Sequence, residues 1–212
     1  MLPFPVIALL AAALSGAAIA PPATAPDAGA DGRTEAPRTI ELHVGIPDWV
    51  TIGLAHKDLI ARFPRAEVNP FAGQDDAYTV KISGAGISAM VLGASPETLA
   101  VASLGFNLDG DYQGVAEGNF RTDRGLRKGS TVNDLLSAYG KPAEIVSDRT
   151  ARRALRRRPD FSEEEVPQLY QYRSDDGSVT TSFVVQDNRV VRVVINALEP
   201  LRNHIVKRKP PE

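Results

Sequence analysis

The 212-residue chain contains no cysteine. That absence excludes disulfide staples, thiolate metal sites, a cysteine nucleophile and a lipidated N-terminal cysteine, so the core alone must hold the fold. Histidine is scarce, with three residues at His43, His56 and His204. No two are spaced four apart as on a zinc-binding helix, and no carboxylate stands at a supporting offset. They read as surface or boundary histidines. Aromatic residues make up 6 % of the chain, and Trp49 is the single tryptophan. Its expected place is a lid between the first strand and the first helix. Neither charge sign is in excess: the net charge is −2 at pH 7, which gives no global field for nucleic acid or an anionic membrane. The hydrolase and phosphate-loop patterns Gly-x-Ser-x-Gly, Ser-x-x-Lys and Walker-type glycine runs are missing, and Gly84-Ala85-Gly86 is too short to replace them. No catalytic, cofactor or metal-binding constellation is legible, so the expectation is a non-enzyme without a cofactor.

What is present is an ordinary globular mixture, 43 % hydrophobic and 24 % charged, enough for one or two domains. Residues 1–20 read as a signal peptide. The apolar run Val6–Leu14 is too short to span a bilayer, and Ala18-Ile19-Ala20 is a small-x-small cleavage site. The run lacks a preceding Lys or Arg, and an uncleaved anchor is the alternative. The expected mature chain is periplasmic or secreted and has no transmembrane span. Residues 21–38, rich in Pro, Ala, Gly and Asp, read as a leader without a core.

Gly129–Ile145 carries the clearest element. Val132, Leu135, Leu136 and Tyr139 follow the i, i+3, i+4, i+7 spacing of one helix face. Thr131 is the expected N-cap with Asp134 as its capping-box partner, and Gly140 with Pro142 ends the helix. Upstream, His56, Leu59, Ile60 and Phe63 repeat the spacing with a shift of 76 residues, and Ala55 stands where the capping Thr131 does. Strands are expected at Thr39–Gly45, then at Ala77–Ser83, Ile87–Leu92 and Thr98–Leu108, and again at Gln168–Arg173, Ser178–Gln186 and Arg189–Leu198. The predicted class is α+β, with two tandem repeats, each a short helix packed on an antiparallel meander. The expected layout is a first repeat at 39–108, a linker at 109–128, a second repeat at 129–198 with an insertion at 149–167, and a basic tail at 199–212. One sheet face is expected under the helices and the other open.

Two features point to partners. Arg149, Arg152, Arg153, Arg156, Arg157 and Arg158 put six arginines in ten residues, and Glu163, Glu164 and Glu165 follow. This run reads as a solvated insertion whose charges partly cancel, or as a dock for an anionic surface such as a cell-wall polymer. Asp175 and Asp176 form the tip of the hairpin between the two strands that follow the insertion. Asn107, Asp109 and Asp111 resemble the start of a calcium loop, but Tyr112 and Gly118 occupy the places where that motif needs Gly and Glu.

The strings GLRKGSTVNDLLSAYGKPAEI and LYQYRSDDGSVTTSFVVQDNRVVRVVI are similar to an exported module, the β-lactamase-inhibitor-like fold. That fold is shared by small outer-membrane assembly lipoproteins and secreted β-lactamase inhibitors. The resemblance spans about 129–196, with a fainter copy at 53–108. It implies a tandem α+β architecture and a binding role through a hairpin turn and its neighbouring sheet residues. The disulfides of the inhibitors and the acylated cysteine of the lipoproteins have no counterpart here. The expectation is an exported, non-enzymatic protein-binding module of the cell envelope. Its partner would be another envelope or secreted protein and not nucleic acid, with Arg152, Arg153, Arg156, Arg157, Arg158, Asp175 and Asp176 as candidate contacts. The alternatives are an envelope enzyme with a dispersed active site and a structural domain held to an anionic polymer by the insertion.

Overall fold

The computed structural model describes residues 36–71, 76–111 and 114–201. The expected signal peptide, nearly all of the leader, and the tail beyond Leu201 with His204 lie outside them. The chain begins with three short strands: β1 (Arg38–Ile40), β2 (Gly45–Ile46) and β3 (Val50–Thr51). Helix α1 (His56–Arg62) leads into the meander β4 (Glu67–Pro70), β5 (Ala77–Ile82), β6 (Ile87–Leu92) and β7 (Ala100–Asn107). After β8 (Phe120–Thr122), helix α2 (Val132–Tyr139) leads into β9 (Glu144–Ser147), an inserted helix α3 (Arg149–Leu155), and then β10 (Gln168–Arg173), β11 (Val179–Gln186) and β12 (Arg189–Ala197). The architecture is mixed α and β, and its main sheet of eight antiparallel strands has the order β4-β5-β6-β7-β12-β11-β10-β9. Strand β8 lies within the segment expected as a linker and pairs in parallel with β1. No helix among the described residues is long and apolar enough to cross a membrane.

Alternation sets the core. Val80, Ile82, Ile87, Ala89, Leu104 and Phe106 of one half meet Phe183, Val185, Val190, Val193 and Ile195 of the other on a single face, under Leu59 of α1 and Leu135 of α2. Trp49 packs edge-on against Phe63 at 5.3 Å, with the Arg38 guanidinium over its ring at 3.9 Å. It closes the gap between β1 and α1 as expected.

Helix α2 forms where its caps dictate. The Thr131 N–H donates to Asp134 at 2.8 Å, the Asp134 N–H donates back to Thr131 Oγ1 at 3.3 Å, and Gly140 takes φ 72° at the end. Helix α1 has no side-chain cap at Ala55. The burial expected of Leu136 is not observed: Leu135 is 0 % exposed and Leu136 38 %. Consecutive helix positions lie about 100° apart, and α2 is rolled so that Leu135 points into the sheet and Leu136 partly toward solvent, whereas in α1 both Leu59 and Ile60 pack on the core.

The strand expected over Thr39–Gly45 stops at Ile40. The chain reverses there, with His43 at φ 64°, and folds back as the β2–β3 hairpin. Gly45, at φ 118°, approaches the Val50 carbonyl so closely that a Cβ would collide with it. Strands β4 and β9 were not expected, because neither carries an alternation long enough to read.

Each half of the main sheet is a helix followed by a four-strand meander, and the last strands meet at the centre, where Gly105 pairs with Val194. The registers correspond as well. Glu67 faces Lys81 as Glu144 faces Gln171, and Lys81 faces Ser88 as Gln171 faces Ser182. A register shift falls between Met90 and Val91 in one half and between Val184 and Val185 in the other.

The sheet face away from α1 and α2 is not open as expected. Ser103, Asn107, Gln171, Thr180, Ser182 and Arg192 are buried there. Arg192, 1 % exposed, extends over Gly105 and donates to Ser88 Oγ. A Cβ at position 105 would collide with its guanidinium, so the glycine provides the room the arginine occupies.

Candidate functional site

The insertion is built on Asp148, whose carboxylate accepts from the Ala151 N–H at 3.0 Å and caps α3. The arginine-rich helix then faces a short helical turn at Glu163–Glu165, itself capped by Ser162. Glu163 takes two arginines: Arg152 Nε lies 3.0 Å from one oxygen, an ion pair without hydrogen-bond alignment, and Arg156 lies 2.8 Å from the other. Arg158 pairs with Asp160 at 2.8 Å and with Glu165 at 3.0 Å. The Arg156 hydrogen bond holds Glu163 below its usual pKa, and Arg158 does the same for Asp160. The remaining arginines, Arg149, Arg153 and Arg157, are exposed and have no side-chain partner among the described residues. Sequence reading grouped all these arginines together, whereas the structure divides them into clamped and free sets.

Asp175 and Asp176 lie far from the insertion along β10, at the 174–178 turn. Asp176 is committed to that turn. It accepts from Ser174 Oγ at 2.6 Å and from the Ser178 N–H at 2.9 Å, and these bonds hold its carboxyl down at about 2. Asp175 is exposed.

Beside this turn is a cluster that sequence reading missed. The His43 N–H donates to Thr181 Oγ1 at 3.0 Å, and His43 Nδ1 lies 3.0 Å from the same oxygen. With the hydroxyl donating to Nδ1, the neutral ring carries its proton on Nε2. Burial lowers the His43 pKa, and Asp175, Asp176 and Asp123 partly offset it. Nearby, the Tyr139 hydroxyl donates to Asp123, and burial raises that phenol well above its ordinary range. Thr181 is fully buried and its hydroxyl is engaged with His43, so the pair fastens the N-terminal turn to the sheet rather than presenting a nucleophile. The two residues lie 138 positions apart, which no spacing rule could connect.

A cleft of about 590 Å³ lies between the 124–130 loop and α2, lined by Arg124, Arg127, Lys128, Asp134 and Ser137. Most of its charges are engaged by this chain. Arg124 donates to the Ala138 carbonyl at 2.7 Å and lies over the Tyr139 ring, Lys128 pairs with Glu117 at 2.7 Å, and Asp134 caps α2. Asn107 and Asp111 do not converge: the Asn107 amide donates to the Val115 carbonyl, and Asp111 accepts from the Gly114 N–H at 2.9 Å. Among the described residues no group of three His, Asp or Glu is arranged to hold a metal ion.

The outer strands expose aliphatic side chains at matched positions. Val68 of β4 is 38 % exposed and Ile145 of β9 is 52 % exposed. Each strand pairs on one side only among the described residues. Strand β4 ends at Pro70, which removes a ladder donor, while Glu144-Ile145-Val146-Ser147 of β9 contains no proline or lysine.

No family model matches the chain. No curated protein matches it. Among solved structures, a DUF4309 family protein (YjgB) from Bacillus subtilis subsp. subtilis str. 168 is similar. It is 16 % identical, with a TM-score of 0.41, and the match covers 73 % of this chain and 88 % of that one.

Proposed function

We propose that the chain is an exported, non-enzymatic protein-binding module of the cell envelope, made of two tandem α+β repeats of the β-lactamase-inhibitor-like kind. Export rests on the apolar segment and small-x-small site in residues 1–20. The matched registers and bulges of the two meanders support the repeats, and the strings at 129–196 support the family likeness. The observation that carries the binding role is the outer strand β9, paired on one side only among the described residues, with Ile145 52 % exposed. The partner is an extended segment of another envelope protein that adds a strand to β9 and covers Ile145. Backbone hydrogen bonds supply the affinity and the side-chain pockets the selectivity.

The test is hydrogen exchange on the mature chain with an envelope protein captured by cross-linking. Amides of 144–147 gain protection in the complex, and Ile145→Lys abolishes capture while Val68→Lys leaves it. Protection confined to the 174–178 turn, or capture unaffected by Ile145→Lys, overturns the reading.

A further inference from the structure

The division of the arginines needs its own explanation. Arg149, Arg153 and Arg157 recur every fourth residue along α3 and the turn that continues it, where the Arg156 N–H still bonds to the Arg152 carbonyl at 3.0 Å. At 1.5 Å of rise per residue the stems of Arg149 and Arg153 stand about 6 Å apart on one face of α3, and Arg157 follows in the turn that continues it. Residues 149–158 contain no Asp or Glu, and the carboxylates that follow engage only Arg152, Arg156 and Arg158. Like charges four apart on a helix repel and lower its stability. Packing does not require them, since all three are exposed, and in the other half a short connection joins β4 to β5 where this insertion joins β9 to β10. The run also uses only Arg and no Lys, and the planar guanidinium is the cation suited to two-point bonding with phosphate oxygens.

We infer that Arg149, Arg153 and Arg157 form a linear docking stripe for an extended polyphosphodiester, with Arg152, Arg156 and Arg158 serving to hold the insertion in shape. A single row of charges matches a linear polymer better than the two-dimensional array of a membrane surface. The net charge of −2 gives the molecule no long-range attraction for anions, so the stripe acts within a Debye length of about 8–10 Å.

The test uses poly(glycerol phosphate) as probe on the full chain, with phosphatidylglycerol vesicles and single-stranded DNA as comparison arms. The polymer binds more tightly than either comparison. Its log affinity falls with log salt at a slope of about −2, the value for three contacts on a single-stranded polyanion. The triple variant Arg149→Ser, Arg153→Ser, Arg157→Ser loses at least tenfold in affinity and most of that slope, with its unfolding midpoint unchanged or raised. The triple variant Arg152→Lys, Arg156→Lys, Arg158→Lys, which keeps the local charge and the pairing with Asp160, Glu163 and Glu165, keeps at least a third of the affinity. Equal loss in both variants, binding of vesicles or DNA in preference to the polymer, no binding at 50 mM salt, or unfolding of the first variant would each overturn the assignment.

Discussion

Replacing Leu135 with alanine removes a side chain that is fully enclosed between α2 and the sheet. The cost is about 2–5 kcal/mol, and Leu59→Ala, the equivalent change in α1, costs about the same. Leu136→Ala costs about 1 kcal/mol or less, because that side chain is already partly in water. Urea midpoints of the three variants check the ranking. The i, i+3, i+4, i+7 pattern identified this helix and its face from the sequence. It could not choose between adjacent leucines, because that choice depends on how the helix is rolled on the sheet. His43 makes a second residue-scale prediction. Its native pKa lies below 6.5 because burial disfavours the imidazolium. The unfolded chain therefore binds the proton more readily. His43 contributes stability that is fully present above 6.5 and is lost as pH falls through its lowered native value. Proton NMR of the imidazole checks the value, and Asp175→Asn lowers it further by removing an offsetting charge. Titration at or above 6.5 would show that burial does not outweigh the nearby carboxylates.

At the scale of elements, capping separates the two helices. Thr131→Ala removes the hydroxyl that accepts from the Asp134 N–H and costs about 1 kcal/mol, whereas Ala55→Ser adds the missing cap to α1 and stabilises by about 0.5–1 kcal/mol. Thermal midpoints moving in opposite directions confirm both. These caps were legible because they depend on residues three apart. The outer strands were not, because four residues leave too little alternation to distinguish a strand from a loop. Their only trace is a shared phrase after each helix, Ala66-Glu67-Val68 and Ala143-Glu144-Ile145. The insertion was half legible. Its arginine and glutamate blocks are plain in the sequence, but which guanidinium meets Glu163 depends on how the 163–165 turn folds back against α3.

At the scale of the molecule, both halves contribute to one core, and β1 of the first half pairs with β8 of the second. Urea unfolding is therefore a single transition, with Trp49 fluorescence and far-ultraviolet circular dichroism coinciding. Separate curves for the two probes would mean that the halves unfold independently. Residues 36–108 and 109–201 produced as separate chains recombine as a one-to-one complex. The centre of the sheet decides this stoichiometry. If β12 paired with another β12 in the register it uses with β7, Val194 would stand where Gly105 does, under the Arg192 guanidinium. That pairing would push the Arg192 guanidinium out of its buried place beside Ser88, so a glycine and an arginine on opposite sides of the seam favour the joining of unlike halves over like ones.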